Sequence, residues 1–160
     1  ETLDGVRTWL DRVAGKGNKL GQFGYASPSD LKPTMSAEAL LCHQYLDMPR
    51  HDPTLEAGAR YLRTVLPRPR KESSYYWYYG TQLMHHYGGS LWDRWNRQVR
   101  EILVATQDKK SANAGSWNPA DFQWGSRGGR IYTTSLSVCT LEVYYRHLPL
   151  FKQIEFDQAE

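Results

Sequence analysis

Cysteine is scarce in this chain. Two residues, Cys42 and Cys139, stand in a sequence of 160, both in apolar runs and not in turns. A disulfide framework is therefore not expected, and no CxxC or Cys/His spacing suggests a zinc site. Long hydrophobic runs are missing too: no stretch of roughly 18 apolar residues could span a bilayer. Excess charge of one sign is small, at +3, and the basic residues are scattered. Their densest cluster, Arg63, Arg68, Arg70 and Lys71, is broken by two prolines and has no aromatics between its charges. It reads as a solvated linker, and nucleic acid is not an expected partner. No signal peptide is visible, which leaves the compartment open. The chain opens at Glu1 without a Met and enters an apolar-periodic stretch almost at once, so it reads as a piece of a longer protein.

What the chain has in quantity is large rings, with six Trp and eleven Tyr. The stretch SSYYWYYGTQLMHHYGG, residues 73–89, carries six of these rings in its first fifteen positions. One isolated helix cannot bury them all, so neighbouring elements must pack against them.

Helical periodicity dominates the pattern. Trp92, Trp95, Val99, Leu103 and Thr106 recur at steps of three and four, and Ser90 with Asp93 resembles a capping box at the start of that helix. Leu55, Ala59, Leu62 and Leu66 form a second stripe, opened by Asp52 as N-cap and Pro53 at the first helical position. Amphipathic helices are expected at about 2–14, 53–66 and 91–107. They alternate with more uniformly apolar helices at about 35–47, 75–87 and 133–147. In the last of these, Thr133, Thr134, Val138 and Val143 favour a strand locally, but the length of the stretch favours a helix. Half-buried helices alternating with fully buried ones mark helical-hairpin repeats, here about three, at 1–48, 53–90 and 91–151.

The chain also aligns with itself. Trp9-Leu10 is followed by Ala14 and then Gly21-Gln22-Phe23; Ile102-Leu103 is followed by Gln107 and then Gly115-Ser116-Trp117. Tyr61-Leu62 leads to Leu66 with no Gly-x-aromatic after it. Among the apolar helices, Ser36-Ala37 falls on Tyr78-Tyr79 and on Thr133-Thr134. That register puts Cys42, Met84 and Cys139 at one equivalent position, expected to be a small core position and not a reactive pair.

The run ILVATQ…GSW resembles the QW motif of the terpenoid cyclase and protein prenyltransferase repeat, and GQFGY preceded by WL is similar to a degenerate second copy. The layout of residues 75–89 and 115–151 resembles bacterial proteins carrying prenyltransferase/squalene-oxidase repeats, abundant in planctomycetes. The resemblance covers nearly the whole chain in kind and is most specific at 102–148. The loop between Gln107 and Gly115 is long for the motif, and the first two repeats lack the Gln. The resemblance implies an all-α fold: six main helices forming part of an α/α toroid, the apolar helices lining a central barrel and the amphipathic ones wrapping it. It also implies that Gln107 bonds backbone at a neighbouring helix end with Trp117 stacked over it, a structural clamp with no chemistry of its own.

Chemistry is thinner than architecture. By the resemblance, Trp77, Tyr78, Tyr79, Tyr132, Tyr144 and Tyr145 are the candidate aromatic lining of the inner face, and ring faces attract cations. An ionising acid is missing: no DxDD or DDxxD occurs, and Asp121 stands alone. No Asp-x-Cys accompanies Cys139, and His85 and His86 diverge by roughly 100° on a helix, too far to share one ion simply. No Cys-Gly-Glu-Gln run and no GxSxG occur. No cofactor, metal site or catalytic residue is therefore expected. The loop WGSRGGRIY offers a weak anion site through Arg127 and Arg130 ahead of a helix start. The reading is a non-catalytic scaffold or a ligand- or protein-binding module, with an apolar small molecule or a peptide at the inner face. The alternative is a terpenoid-cyclase-like or prenyltransferase enzyme whose acid or metal site lies outside the segment. The apolar ends of a partial ring should be covered by remaining repeats of a parent chain, by a second copy, or by the terminal segments.

Overall fold

The computed structural model describes residues 1–68 and 73–151. Arg70 and Lys71 of the basic cluster, and the closing segment beyond Phe151, lie outside the described residues. The described chain is all-helical. Six α-helices follow one another: α1 (Thr2–Val13), α2 (Pro33–Tyr45), α3 (Pro53–Thr64), α4 (Ser74–Tyr87), α5 (Gly89–Thr106) and α6 (Gly125–Arg146), with short 3-10 turns at Gly17–Lys19 and Pro119–Asp121.

The sequence signals explain most boundaries. Asp52 caps α3 as expected, its Oδ1 accepting from the Thr54 N–H at 2.7 Å, and Pro53 takes the first helical position. Leu55, Ala59 and Leu62 of its stripe are fully buried. The expected capping box at Ser90 does not form. Helix α5 starts earlier, at Gly89, directly after Gly88, whose φ of 74° terminates α4, and no side chain caps it. The glycine pair breaks the helix more sharply than a serine hydroxyl could start one. Helix α6 also begins earlier than the apolar pattern does. A first helical turn at Gly125 is offset from the rest by Gly129, at φ 71° and ψ −171°. The β-branched residues at 133–143 are helical, with Thr133, Thr140 and Val143 buried.

Two layers organise the helices. Helix α4 lies between α2 and α6, with α5 behind it, while α3 packs on α2 and α5. The apolar helices thus sit together and the amphipathic ones flank them, as their patterns require. Helix α1 is the exception: it buries only Leu10 and Val13 and leaves Leu3, Val6 and Trp9 exposed.

The crowded rings divide between two neighbours. Tyr76 meets Trp95 of α5 edge-on at 5.5 Å and donates its hydroxyl to the Val65 carbonyl at 2.6 Å. Trp77 meets Phe122 edge-on at 5.5 Å. Gly80 leaves the space that Trp95 fills, since a Cβ there would lie 2.5 Å from the indole. The Trp95 N–H then donates to Thr81 Oγ1 at 2.9 Å, so the buried indole keeps its hydrogen bond.

The aligned position of Cys42, Met84 and Cys139 is not a uniform core position. Met84 is buried, Cys139 is half-buried and Cys42 is exposed; both thiols are free. Helix α4 has a neighbour on each side within its layer, whereas α2 and α6 each border it on one side. Desolvation, and then the nearby Glu38 carboxylate, raise the Cys42 thiol pKa, which disfavours the thiolate.

Candidate functional site: an aromatic cleft between α2 and α4

Tyr75 and Tyr79 are one turn apart on α4 and stack nearly parallel, their planes 10° apart and their centroids 6.4 Å apart. They form one wall of a cleft of about 420 Å3. Glu38 of α2, Tyr25 from the loop after α1, and Gln123 and Trp124 just before α6 supply the other walls. Three of the rings remain accessible: Tyr25 is 70%, Trp124 43% and Tyr75 39% exposed. Next to the cleft lies a depression of about 350 Å3, lined by Tyr75, Trp124, Arg127, Gly128 and Tyr132. Tyr75 meets Tyr132 at 5.7 Å, and the Ser74 hydroxyl donates to the Tyr132 oxygen at 2.7 Å, which ties α4 to α6 at this point. The Arg127 guanidinium lies over the Trp124 ring, 5.3 Å from its centre.

Glu38 is the one carboxylate in α2 and is partly withdrawn from water. Burial pushes its pKa up. Among the described residues no basic side chain pairs with it. Lys32, on the same cleft, is paired with Asp30 at 2.9 Å. Burial, followed by Glu38, raises the pKa of the Tyr79 phenol. The cleft is therefore a ring-walled site in which one carboxylate, Glu38, has no ion-pair partner among the described residues.

Of the six rings expected to line the inner face, Tyr79 lines the cleft and Tyr132 the adjoining depression. Tyr78 is half-buried beside Tyr79, at 5.2 Å. Trp77 is sealed under Phe122 and is core. Tyr144 and Tyr145 lean on each other near the far end of α6, 60% and 64% exposed, and line none of these walls. Tyr25, Glu38 and Trp124 were not among the expected residues. The available signal for Glu38 was its isolation in an otherwise uncharged helix.

The expected anion loop is differently used. Arg130 is spent on structure, donating from Nη1 to Ser116 Oγ at 3.0 Å and to the Trp117 carbonyl at 3.4 Å, while Arg127 covers Trp124. Gly125 sits against Pro119, where a Cβ would lie 1.9 Å from the carbonyl oxygen. Gln107 bonds the Gly115 carbonyl within its own loop, at 3.0 Å, and not a neighbouring helix end. Trp117 is buried and donates its indole N–H to the Leu103 carbonyl at 2.9 Å, pinning the loop to the end of α5.

His85 and His86 are buried at the other end of α4. His85 Nε2 donates to the His147 carbonyl at 2.7 Å, and His86 Nδ1 accepts from the Leu150 N–H at 3.3 Å. They hold the segment that follows α6. Among the described residues, no group of three or more His, Cys, Asp or Glu side chains is placed to hold a metal ion, and no helix is long and apolar enough to cross a membrane.

No family model matches this chain, and neither the curated proteins nor the solved structures contain a match to it.

Proposed function

We propose that this chain is part of an α/α toroid and serves as a non-catalytic binding module, with the aromatic cleft as its contact surface. The cleft carries the reading: rings from three separate parts of the chain, Tyr25, Tyr75 with Tyr79, and Trp124, converge on one cavity of about 420 Å3, within the size range of small-molecule sites. Among the described residues that line it stands one carboxylate, Glu38, with no second acid to form a catalytic pair. The layered packing of α2, α4 and α6 against α3 and α5 supports the toroid, as does the shared geometry of the loops before α2 and α6.

The partner side of the proposal rests on the outer face of α6. Ile131, Val138 and Tyr145 are 84%, 39% and 64% exposed along it. Remaining repeats of a parent chain, or a second copy, would cover that face.

The test is a thermal-shift panel of isoprenoid, oligosaccharide and organic ammonium ligands on this chain. At least one class should raise Tm, and Trp124→Ala should abolish that shift without lowering the ligand-free Tm by more than about 3 °C. No shift from any class would end the binding-module reading. Sedimentation at rising concentration should show self-association through α6, weakened by Ile131→Glu.

A further inference from the structure

We propose that the cleft takes an organic cation, an alkylated ammonium group seated against Tyr75, Tyr79 and Trp124 with Glu38 as its counter-charge. This deepens the binding-module reading and rests on it.

Three observations converge. The walls are ring-rich, and aromatic faces attract cations most strongly when both are shielded from water. The one acid among the described lining residues, Glu38, is partly desolvated and has no ion-pair partner among the described residues, while Lys32 on the same cleft is engaged by Asp30. A carboxylate in that position costs free energy until a positive charge joins it. Finally, one ring of the site already meets a cation at the site's edge with the adjoining depression. The Arg127 guanidinium lies over the Trp124 ring, yet Arg127 lines the adjoining depression and not the cleft.

Competing ligands fit less well. An anion would face Glu38 directly. A neutral sugar or isoprenoid would satisfy the rings but leave the carboxylate uncompensated. A bare ammonium is strongly hydrated, whereas alkylation lowers the cost of leaving water and adds apolar surface to meet the rings. The cavity has room for a trimethylated head together with part of the body that carries it. Such a head occurs on free small molecules and on modified lysine side chains of proteins.

Calorimetric titration of this chain separates the alternatives. The probes are choline, its neutral carbon isostere 3,3-dimethylbutan-1-ol, and a short peptide bearing trimethyl-lysine beside its unmethylated form. Choline or the methylated peptide should bind at least about tenfold more tightly than its uncharged or unmethylated counterpart. Binding of choline points to a small-molecule source, and binding of the peptide alone to a protein source; either supports the proposal. Glu38→Gln should lose about tenfold or more in affinity while its Tm equals or exceeds that of the original chain, because the substitution removes a desolvated charge. A merely structural Glu38 would instead lower Tm. Trp124→Ala, at an exposed ring, provides a second variant expected to fold and to lose binding.

Equal affinity for choline and its neutral isostere, unchanged affinity in Glu38→Gln, or no binding of either cation would each overturn the proposal. If the neutral isostere binds equally well and Trp124→Ala abolishes it, the cation assignment fails and the cleft remains a binding site.

Discussion

The connection from α1 to α2 and the connection from α5 to α6 turn the chain in nearly the same way. In the first, the Gly15 N–H donates to the Gln22 carbonyl at 2.8 Å; in the second, the Asp108 N–H donates to the Ser116 carbonyl at 2.9 Å. Each contains a glycine in the left-handed region, Gly21 at φ 75° and Gly115 at φ 88°. Each then buries an aromatic ring, Phe23 or Trp117, and ties its backbone to a hydroxyl of the next helix. Phe23 donates its N–H to Ser36 at 2.9 Å, while Thr133 donates to the Trp117 carbonyl at 3.0 Å. The surroundings differ. Gly21 is wedged against α3, where a Cβ would lie 2.2 Å from the Gly58 nitrogen, but nothing lies within 4 Å of the same position on Gly115. One turn is covered by the next amphipathic helix, and the other has no such cover among the described residues. Local geometry therefore follows local sequence, while the worth of each residue depends on what packs over it.

The largest expected effect would show whether both rings are true anchors. Trp117→Ala and Phe23→Ala should each cost about 3–5 kcal/mol in denaturant unfolding. Trp117→Phe, which makes the second loop resemble the first, should cost only about 1 kcal/mol for the lost bond to Leu103. A cost near that of Trp117→Ala would mean the indole bond and not the ring volume is the anchor.

The glycines separate the two loops more directly. Gly21→Ala combines left-handed strain with a backbone collision and should cost about 3 kcal/mol. Gly115→Ala meets open space and should cost about 1 kcal/mol. Equal losses of thermal stability would break the contrast in covering.

Acid should distinguish where the two following helices end. Helix α2 hydrogen-bonds α4 through neutral groups, Gln44 donating to the Leu83 carbonyl and the Tyr45 hydroxyl to Gln82 Oε1, and Tyr45 meets the His86 ring edge-on at 5.8 Å. The segment after α6 is held by His85 and His86. Burial, then His85 and His147, lower the His86 pKa from 6.5 to about 4. The unfolded chain takes up a proton below 6.5 that the folded chain refuses. His86 therefore contributes its full stability above 6.5, and that contribution is lost as pH falls toward 4. The loss should reach about 2 kcal/mol once solvent screening is allowed for. A His86→Gln variant should show a flatter profile over this window in unfolding measured as a function of pH.

The smallest expected effect concerns the Gln of the second loop, which Ala14 replaces in the first. Gln107→Ala removes one half-exposed bond to the Gly115 carbonyl and should cost no more than about 1 kcal/mol. A larger loss by chemical denaturation would make Gln107, and not Trp117, the main fastening of that loop.

Much of the helical layout was legible in the sequence. The stripes of α3 and α5 and the Asp52-Pro53 start are local signals, and they led to the right elements. The start of α5 departs from its Ser90 cap signal because the Gly88-Gly89 break sets it earlier, at Gly89. The exposure of Leu3, Val6 and Trp9 was hidden, since an apolar stripe tells which face seeks cover but not whether a neighbour supplies it. The same limit applies to Cys42. The cleft was legible only in part. Tyr79 and Tyr132 were expected at an inner face, but Tyr144 and Tyr145 share their helix pattern without sharing the cavity.

Periodicity, caps and the glycine-aromatic turns are properties of short stretches, because a helix face, a hydrogen-bonded cap and a left-handed turn each involve residues a few positions apart. Those properties determined that the chain is helical and where its rings are concentrated. Only the tertiary structure decided that Trp77 is core, that Tyr75 and Tyr79 are a wall, and that Tyr25, Glu38 and Trp124 stand opposite them. Burial and electrostatic imbalance arise from atoms distant in sequence, and packing α2 and α6 on either side of α4 is what brings those atoms to one place.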